Sequence, residues 1–171
     1  RHVIKPRSTK EVSKCLKLAN KYKIGVVPWS GGTGLVGGQI APDKYNVTLS
    51  LERMNKIKNF SAVNQSVEVE AGVILETIHE FVDKRNFLYP LSMASKGTCC
   101  IGGNLATNAG GIGVLKYGNA RDLCLGLEVV LADGSIINDI KTLKKDNTGY
   151  DLKNLFIGSE GSLGIITRAV L

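Results

Sequence analysis

The stretch that decides the fold reads PWSGGTGLVGG, residues 28–38, and it follows an apolar run that is typical of a buried strand. Residues 32–37 match the G-x-G-x-x-G pattern of dinucleotide-binding loops, and Glu52 follows at the spacing of the acidic residue of that pattern. Such a motif has to open a helix whose N-terminus binds the pyrophosphate. Only about nine residues separate Gly37 from the next predicted strand, which begins near Val47, and a helical crossover needs a dozen or more. The sequence therefore predicts a loop here and argues against a Rossmann fold.

Glycine is the most informative residue type in this chain. It contributes 20 of 171 residues, against an ordinary share of about 7%. Fourteen of the 20 lie in the windows 31–38, 97–113 and 158–164. Main-chain N–H groups of such loops form anion-binding concavities, and the amides of Asn104 and Asn108 are suited to the edge of a flat heteroaromatic ring. Three windows together favour one extended ligand wrapped by backbone, whereas a single window would favour a tight turn.

The remaining patterns predict a two-lobed α+β domain. Ser8 and Glu11 form a capping box that opens a helix, and Gly25 is expected to cap its C-terminal end. The boundary between the lobes is placed at 58–65. Further strands are predicted over 1–6, 24–27, 47–51 and 66–71 and from Ile165, a hairpin over 125–137 turning at Asp133-Gly134, and helices over Leu75–Val82, near 104–108 and near 151–156.

Composition excludes several classes of protein. A hydrophobic share of 43% and a charged share of 22% exclude a disordered chain, and no apolar run approaches the length of a membrane span. Four cysteines without a C-x-x-C pair indicate neither a zinc cluster nor a disulfide scaffold. The net charge of +7 favours an anionic partner, or an acidic remainder of a longer protein, since the chain begins at Arg1 without an initiator Met. A nucleic-acid-binding module is disfavoured because aromatics make up only 6%.

The three glycine-rich blocks resemble the FAD-binding domain of the vanillyl-alcohol oxidase/PCMH flavoprotein superfamily. PWSGGTGLVGG (28–38) resembles its pyrophosphate loop, residues 90–111 the segment that passes the ribityl chain and isoalloxazine, and GSEGSLGIIT (158–167) the strand entry beside the adenosine. Residues 116–137 and 144–161 are most similar to D-2-hydroxyglutarate dehydrogenases, with FAD-linked D-lactate dehydrogenases and the glycolate oxidase flavin subunit as near neighbours.

The resemblance implies a PCMH-type fold with a small βαβ lobe, about 1–60, and a larger strand-dominated lobe, about 61–171. It implies non-covalent FAD, because Thr33 stands where some members attach the flavin through a His. The residues it assigns to the cofactor are Ser30, Gly31, Gly32, Thr33, Gly34, Gly97, Thr98, Ile101, Gly102, Gly103, Thr107, Asn108, Glu160, Gly161, Gly164, Ile165 and Ile166.

The resemblance further implies oxidation of a D-2-hydroxy acid, with 2-hydroxyglutarate favoured, and a mitochondrial location. Electrons would pass from FAD to an electron-transfer protein, a quinone or a cytochrome, and a homodimer is possible. His2 and His79 are the only histidines, and His79 lies beside Ile78 on an amphipathic helix, where a structural role is expected. We therefore expect no catalytic residue and no metal ligand in this segment. The catalytic residues, and any divalent metal, are expected in a following domain.

Overall fold

The computed structural model describes residues 2–171 of the chain. The first part of the chain forms a three-stranded parallel sheet in the order β1-β3-β2, where β1 is His2–Ile4, β2 is Val26–Trp29 and β3 is Val47–Ser50. Helix α1, Thr9–Tyr22, connects β1 to β2.

The capping chemistry of α1 is local, and the sequence predicted its start correctly. Ser8 accepts a hydrogen bond from the backbone N–H of Glu11 at 3.3 Å. The Glu11 carboxylate accepts the N–H of Arg7 at 2.8 Å, one residue before the expected donor. The predicted C-terminal cap is wrong: Lys23, with φ of 55°, takes the left-handed position. Gly25 lies beyond the cap, where a side chain would overlap that of Asn46.

The connection between β2 and β3 contains no helix and no strand over residues 30–46. The two strands are nonetheless parallel neighbours, with Val26 opposite Val47. The connection is long enough for a parallel crossover because it begins at Ser30, before the glycine motif, rather than at Gly37. The prediction of a loop in place of a Rossmann helix is confirmed.

The second sheet has five antiparallel strands in the order β4-β5-β8-β6-β7. Strand β4 was not predicted, and it lies largely within the stretch 58–65 that the sequence assigned to a boundary. It is an edge strand with a polar middle, Lys58-Asn59, so it shows no apolar alternation. The chain passes to the second sheet before residue 57. The strands are β4 Ile57–Ser61, β5 Ser66–Glu70, β6 Gly126–Val130, β7 Ile136–Asp139 and β8 Ile165–Val170.

Four further helices accompany this sheet: α2 Leu75–Asp83, α3 Ile101–Ala106, α4 Val114–Tyr117 and α5 Lys153–Phe156. Helix α3 begins three residues before the predicted position, and α4 was not predicted. The core includes Val69 of β5, Leu75 and Ile78 of α2, Ile101 of α3 and Leu127 of β6. No helix within residues 2–171 is both long and apolar enough to cross a membrane.

Polar contacts hold α1 against the second sheet. The hydroxyl of Thr9 donates to the Glu128 carboxylate, and Ser13 Oγ donates to the carbonyl oxygen of Gly134 in the β6–β7 turn. Glu128 in turn accepts two hydrogen bonds from Arg168, at 2.9 and 2.7 Å, and Arg168 also pairs with Glu68 at 2.6 Å. This cluster fixes the position of α1 relative to β6 and β8.

Candidate functional site

The three glycine-rich windows meet in one cleft of about 420 Å³, within the size range of small-molecule sites. The cleft lies between the loop after β2, the segment around α3 and the chain entering β8. Thirteen of the seventeen predicted residues line it, namely Ser30, Gly31, Gly32, Thr33, Gly34, Gly102, Gly103, Thr107, Glu160, Gly161, Gly164, Ile165 and Ile166.

The first window is joined to the second by a hydrogen bond from backbone to side chain and by a close backbone approach. The hydroxyl of Ser30 accepts a hydrogen bond from the Gly103 amide at 3.0 Å, across 73 positions of sequence. Gly31 lies so close to the second window that a Cβ would stand 2.7 Å from Cys99 Cα and 2.9 Å from Cys100 N. Any side chain at Gly31 would therefore force the two segments apart.

The third window contacts both of the others. The amides of Gly158 and Glu160 donate to the carbonyl oxygens of Leu105, at 3.0 Å, and Ala106, at 2.9 Å, near the end of α3. Gly161 adopts a φ of +81°, and a Cβ there would stand 2.7 Å from Pro28 Cγ. The three windows are thus packed directly against one another around the cleft.

The wall of the cleft offers main-chain donors rather than basic side chains. No hydrogen bond to another protein atom is made by the N–H groups of residues 31–36, within the part of the chain that the structure describes. Glu160 is the one charged side chain among the described wall residues, and it is exposed. An anion bound beside this loop would therefore be stabilised by peptide dipoles, as in anion-binding nests.

Asn104 carries the clearest mark of a missing partner. Its residue is only 5% exposed, it lines the cleft, and its Oδ1 accepts no hydrogen bond, while Nδ2 reaches only Met93 Sδ at 3.5 Å. A buried amide oxygen without a donor is destabilising unless a ligand supplies one. Asn104 was not among the assigned cofactor residues, although the amide-containing segment that holds it was noted in the sequence.

Four predicted residues do not line the cleft. Ile101 is fully buried in the core because α3 starts at this residue, and Asn108 turns away with a φ of 48° to accept the Arg121 N–H at 3.0 Å. Gly97 lies beside the Glu76 carboxylate, and the Thr98 hydroxyl faces the Ser95 carbonyl oxygen at 3.3 Å.

Ile165 and Ile166 were the only large apolar wall residues assigned from the sequence. Among the apolar residues of the described wall that were not assigned, five come from four separate segments: Trp29, Leu51, Met93, Cys99 and Cys100. No local pattern distinguishes them from core residues. Burial raises the pKa of the Cys100 thiol, although a hydrogen bond with Ser30 opposes this, so the thiol stays protonated at neutral pH.

The histidine of α2 has a structural environment. His79 Nε2 lies 2.9 Å from the carbonyl oxygen of Leu91, and its ring packs against Tyr89 with the centroids 6.2 Å apart. Within residues 2–171, no group of three or more His, Cys, Asp or Glu side chains is placed to hold a metal ion.

These features fit a long ligand with an anionic middle and a flat, hydrogen-bonding end. The family model described as an FAD binding domain matches residues 1–139. The chain belongs to this FAD-binding family. Membership of this family agrees with the convergence of the three windows on one cleft. The G-x-G-x-x-G match alone would instead have indicated a Rossmann fold.

Relatives of the FAD-binding domain are mitochondrial oxidoreductases by name. The chain is 51% identical over 97% of its length to a probable mitochondrial D-2-hydroxyglutarate dehydrogenase of Oryza sativa subsp. indica, covering 30% of that protein. It is 46% identical over 96% of its length to a putative mitochondrial D-lactate dehydrogenase of Schizosaccharomyces pombe, covering 31% of that protein.

The fold of the FAD-binding domain is also found in a solved alkyldihydroxyacetonephosphate synthase, with a TM-score of 0.85 and 27% identity over 98% of this chain. The chain spans 33% of that structure. It thus corresponds to about a third of the length of the proteins it matches, and it contains their cofactor-binding fold.

Proposed function

We propose that this chain binds FAD non-covalently in the cleft and is the cofactor-binding part of a dehydrogenase that oxidises a D-2-hydroxy acid to the 2-oxo acid. D-2-hydroxyglutarate is the favoured substrate because the relative at 51% identity carries that name. The observation that carries the FAD site is that residues 31–36, whose amides have no protein acceptor in the described chain, line the same cleft as Asn104 with its unpartnered oxygen. FAD, when bound, supplies the acceptor for the hydride.

Different segments of the chain would contact different parts of the cofactor. The segment from Ser30 to Gly34 would donate main-chain hydrogen bonds to the pyrophosphate, and Gly102, Gly103, Asn104 and Thr107 would contact the flavin and ribityl part. Glu160 to Ile166 would form the remaining wall. Thr33 has no nucleophilic ring nitrogen, so a covalent flavin link at this position is not expected.

The base and the carboxylate-binding cations are proposed to lie outside this segment. Oxidising a hydroxy acid requires a group that takes the hydroxyl proton and cations that bind the carboxylate. The described wall contains no His, Lys or Arg, and its one carboxylate belongs to the exposed Glu160. We propose that a following domain supplies them, with a divalent metal possible there.

We make further proposals about the location, the electron acceptor, the oligomeric state and the subdomains of the protein. A mitochondrial location is proposed because both relatives are named mitochondrial. We also propose transfer of electrons from FAD to an electron-transfer protein, a quinone or a cytochrome, and a possible homodimer. The two sheets are proposed as the centres of two subdomains, with the second beginning at β4 rather than near residue 60.

A second candidate function is oxidation of D-lactate, which the name of the Schizosaccharomyces pombe relative favours. Glycolate oxidation is a third possibility within the same chemistry.

Purified full-length protein should show a flavin spectrum, release the flavin on denaturation, and reduce an artificial acceptor faster with D-2-hydroxyglutarate than with D-lactate or glycolate. A colourless folded protein that binds no added FAD would overturn the cofactor site. A higher kcat/KM for D-lactate would instead identify D-lactate as the substrate, and the proposal of an FAD site would still stand.

A further inference from the structure

The excess of positive over negative charge in this chain is confined to its first 23 residues. They contain eight Lys and Arg and one Glu, which accounts for the whole net charge of +7. The other 148 residues contain 14 basic and 14 acidic residues and are neutral as a group. The net charge therefore belongs to one element and its flanks, not to the FAD-binding cleft.

Helix α1 arranges this charge as a row. Lys10, Lys14, Lys17 and Lys21 follow at spacings of four, three and four, which places them on one helix face. The face is opposite to that of Val12, Leu16 and Ala19, which are buried against the domain. Over 11 residues the row extends about 16 Å along the helix.

The four lysines are available to a partner. All of them are exposed, and none takes part in a salt bridge within the described chain. In contrast, Lys141, which follows β7, and Lys153 of α5 are paired with neighbouring aspartates. The stem of Lys17 packs over the turn at Gly134, where hydrogen bonds within the turn lower the pKa of Asp133 and the charge of Lys17 adds to this effect. Like charges in one row repel one another, so the row as a whole is stabilised when an anionic surface approaches.

Apolar side chains flank the row on one side. Leu18 is 57% and Tyr22 63% exposed, and the Lys21 ammonium lies 5.4 Å from the centroid of the Tyr22 ring. Tyrosine has an apolar ring and a polar hydroxyl, a combination that is enriched at the boundary between lipid and water.

We propose that this face of α1, formed by Lys10, Lys14, Lys17, Lys21, Leu18 and Tyr22, docks the protein on a membrane surface that contains anionic phospholipid. The row lies on an exposed helix face and lines neither the glycine-rich cleft nor the smaller cavity beside Lys141, so it is not part of an enclosed site for a small anion. Lysine is a hydrated point charge on a flexible stem, which suits mobile headgroups better than the fixed, bidentate geometry for which arginine is used. Clusters of four to eight basic residues on an amphipathic helix bind anionic bilayers in this way.

The test compares vesicle binding of two variants with the same net charge. The variant Lys10→Gln, Lys14→Gln, Lys21→Gln removes three charges of the row, and Gln keeps the helix propensity of Lys. The control, Lys84→Gln, Lys144→Gln, Lys145→Gln, removes three exposed charges elsewhere. Full-length FAD-loaded protein is sedimented with phosphatidylcholine vesicles, with and without phosphatidylglycerol, and far-UV circular dichroism and FAD content confirm that both variants are folded.

The wild type and the control are expected to bind only the vesicles with phosphatidylglycerol, and less at higher salt. The row variant is expected to bind these vesicles at least about tenfold more weakly, since each surface lysine contributes about a fivefold factor. Equal weakening of both variants, equal binding to neutral vesicles, or no binding by the wild type would each overturn the proposal. Tighter binding to duplex DNA or to an acidic polypeptide would assign the face to that partner instead.

Discussion

The guanidinium of Arg121 donates from Nη2 to the carbonyl oxygen of Ile157 at 2.6 Å, at the turn that leads into the third glycine window. Its Nη1 donates to the carbonyl oxygen of Asn154 at 2.7 Å, and its backbone N–H donates to Asn108 Oδ1 at 3.0 Å. One residue outside the cleft therefore joins the end of the second window to the beginning of the third.

Replacing Arg121 with Lys should loosen this turn, because one ammonium does not reproduce the fork that bonds both carbonyl oxygens. We expect FAD affinity to fall by about tenfold, or about 1.4 kcal/mol, and amide hydrogen exchange at 157–161 to become faster. Fluorescence titration and exchange mass spectrometry measure the two effects. The control is Arg85→Lys, since Arg85 bonds the Phe81 carbonyl oxygen on α2 and does not line the cleft. Unchanged exchange at 157–161 would refute the role of Arg121.

Asn104→Leu separates the stability of the protein from its affinity for FAD. Without FAD the variant should be as stable as the wild type or more so, by about 1 kcal/mol, because a buried acceptor without a donor is removed. With FAD, the thermal shift should shrink and affinity should fall by about tenfold. Asn119→Leu is the matched control, because its Oδ1 is also buried without a partner but lies outside the cleft. A loss of FAD affinity in both variants would count against Asn104 as a ligand contact.

Gly31→Ala should destabilise the protein by about 2 kcal/mol, since the added Cβ overlaps backbone atoms of Cys99 and Cys100 that have little freedom to move. Gly110→Ala provides the comparison, because its Cβ would stand an ordinary 3.8 Å from Val114 Cγ2. Neither glycine has a positive φ, so backbone strain does not enter the comparison. Urea unfolding of the FAD-free proteins measures both, and equal stabilities would show that the close approach of the first two windows is not required.

Glu128 should make the stability depend on pH in the acid range. Burial alone would raise the pKa of its carboxyl, but hydrogen bonds from Arg168, Thr9 and Thr167 outweigh burial and hold the pKa below its ordinary value. The contribution is therefore complete above the unfolded pKa, near 4.3, and is lost as pH falls through the lower folded pKa. Glu128→Gln should be less stable by about 2 kcal/mol at neutral pH, with the difference shrinking in acid. A difference that stays constant between pH 7 and pH 3 in denaturant titrations would contradict this.

The sequence predicted features that depend on neighbouring residues or on backbone freedom. The start of α1 was predictable because Ser8 and Glu11 cap it within one turn, and the three glycine windows were predictable as one site because each needs close backbone approach. The C-terminal cap of α1 was not predictable, because Lys23 adopts the left-handed conformation that was expected at Gly25.

The failures within the site have a different cause. Whether Ile101 faces the ligand or the core depends on where α3 begins, which is set by the pairing of its N–H with the Val73 carbonyl oxygen, a contact from another segment. Asn104 and Asn108 look equivalent in the sequence, yet the positive φ at Asn108 turns only that one away. Strand β4 is recognisable only through its partner β5.

In the helix-free connection over 30–46, the backbone and the side chains of the same residues have different tasks. Binding of an anion there, as proposed, would depend on peptide N–H groups, which every amino acid except proline carries, and not on particular side chains. Leu35 and Val36, which are 99% and 87% exposed, sit within this run of donors. Substituting either side chain would therefore leave the peptide groups of this loop in place, so the outer surface here can change without removing the donors that an anion would use.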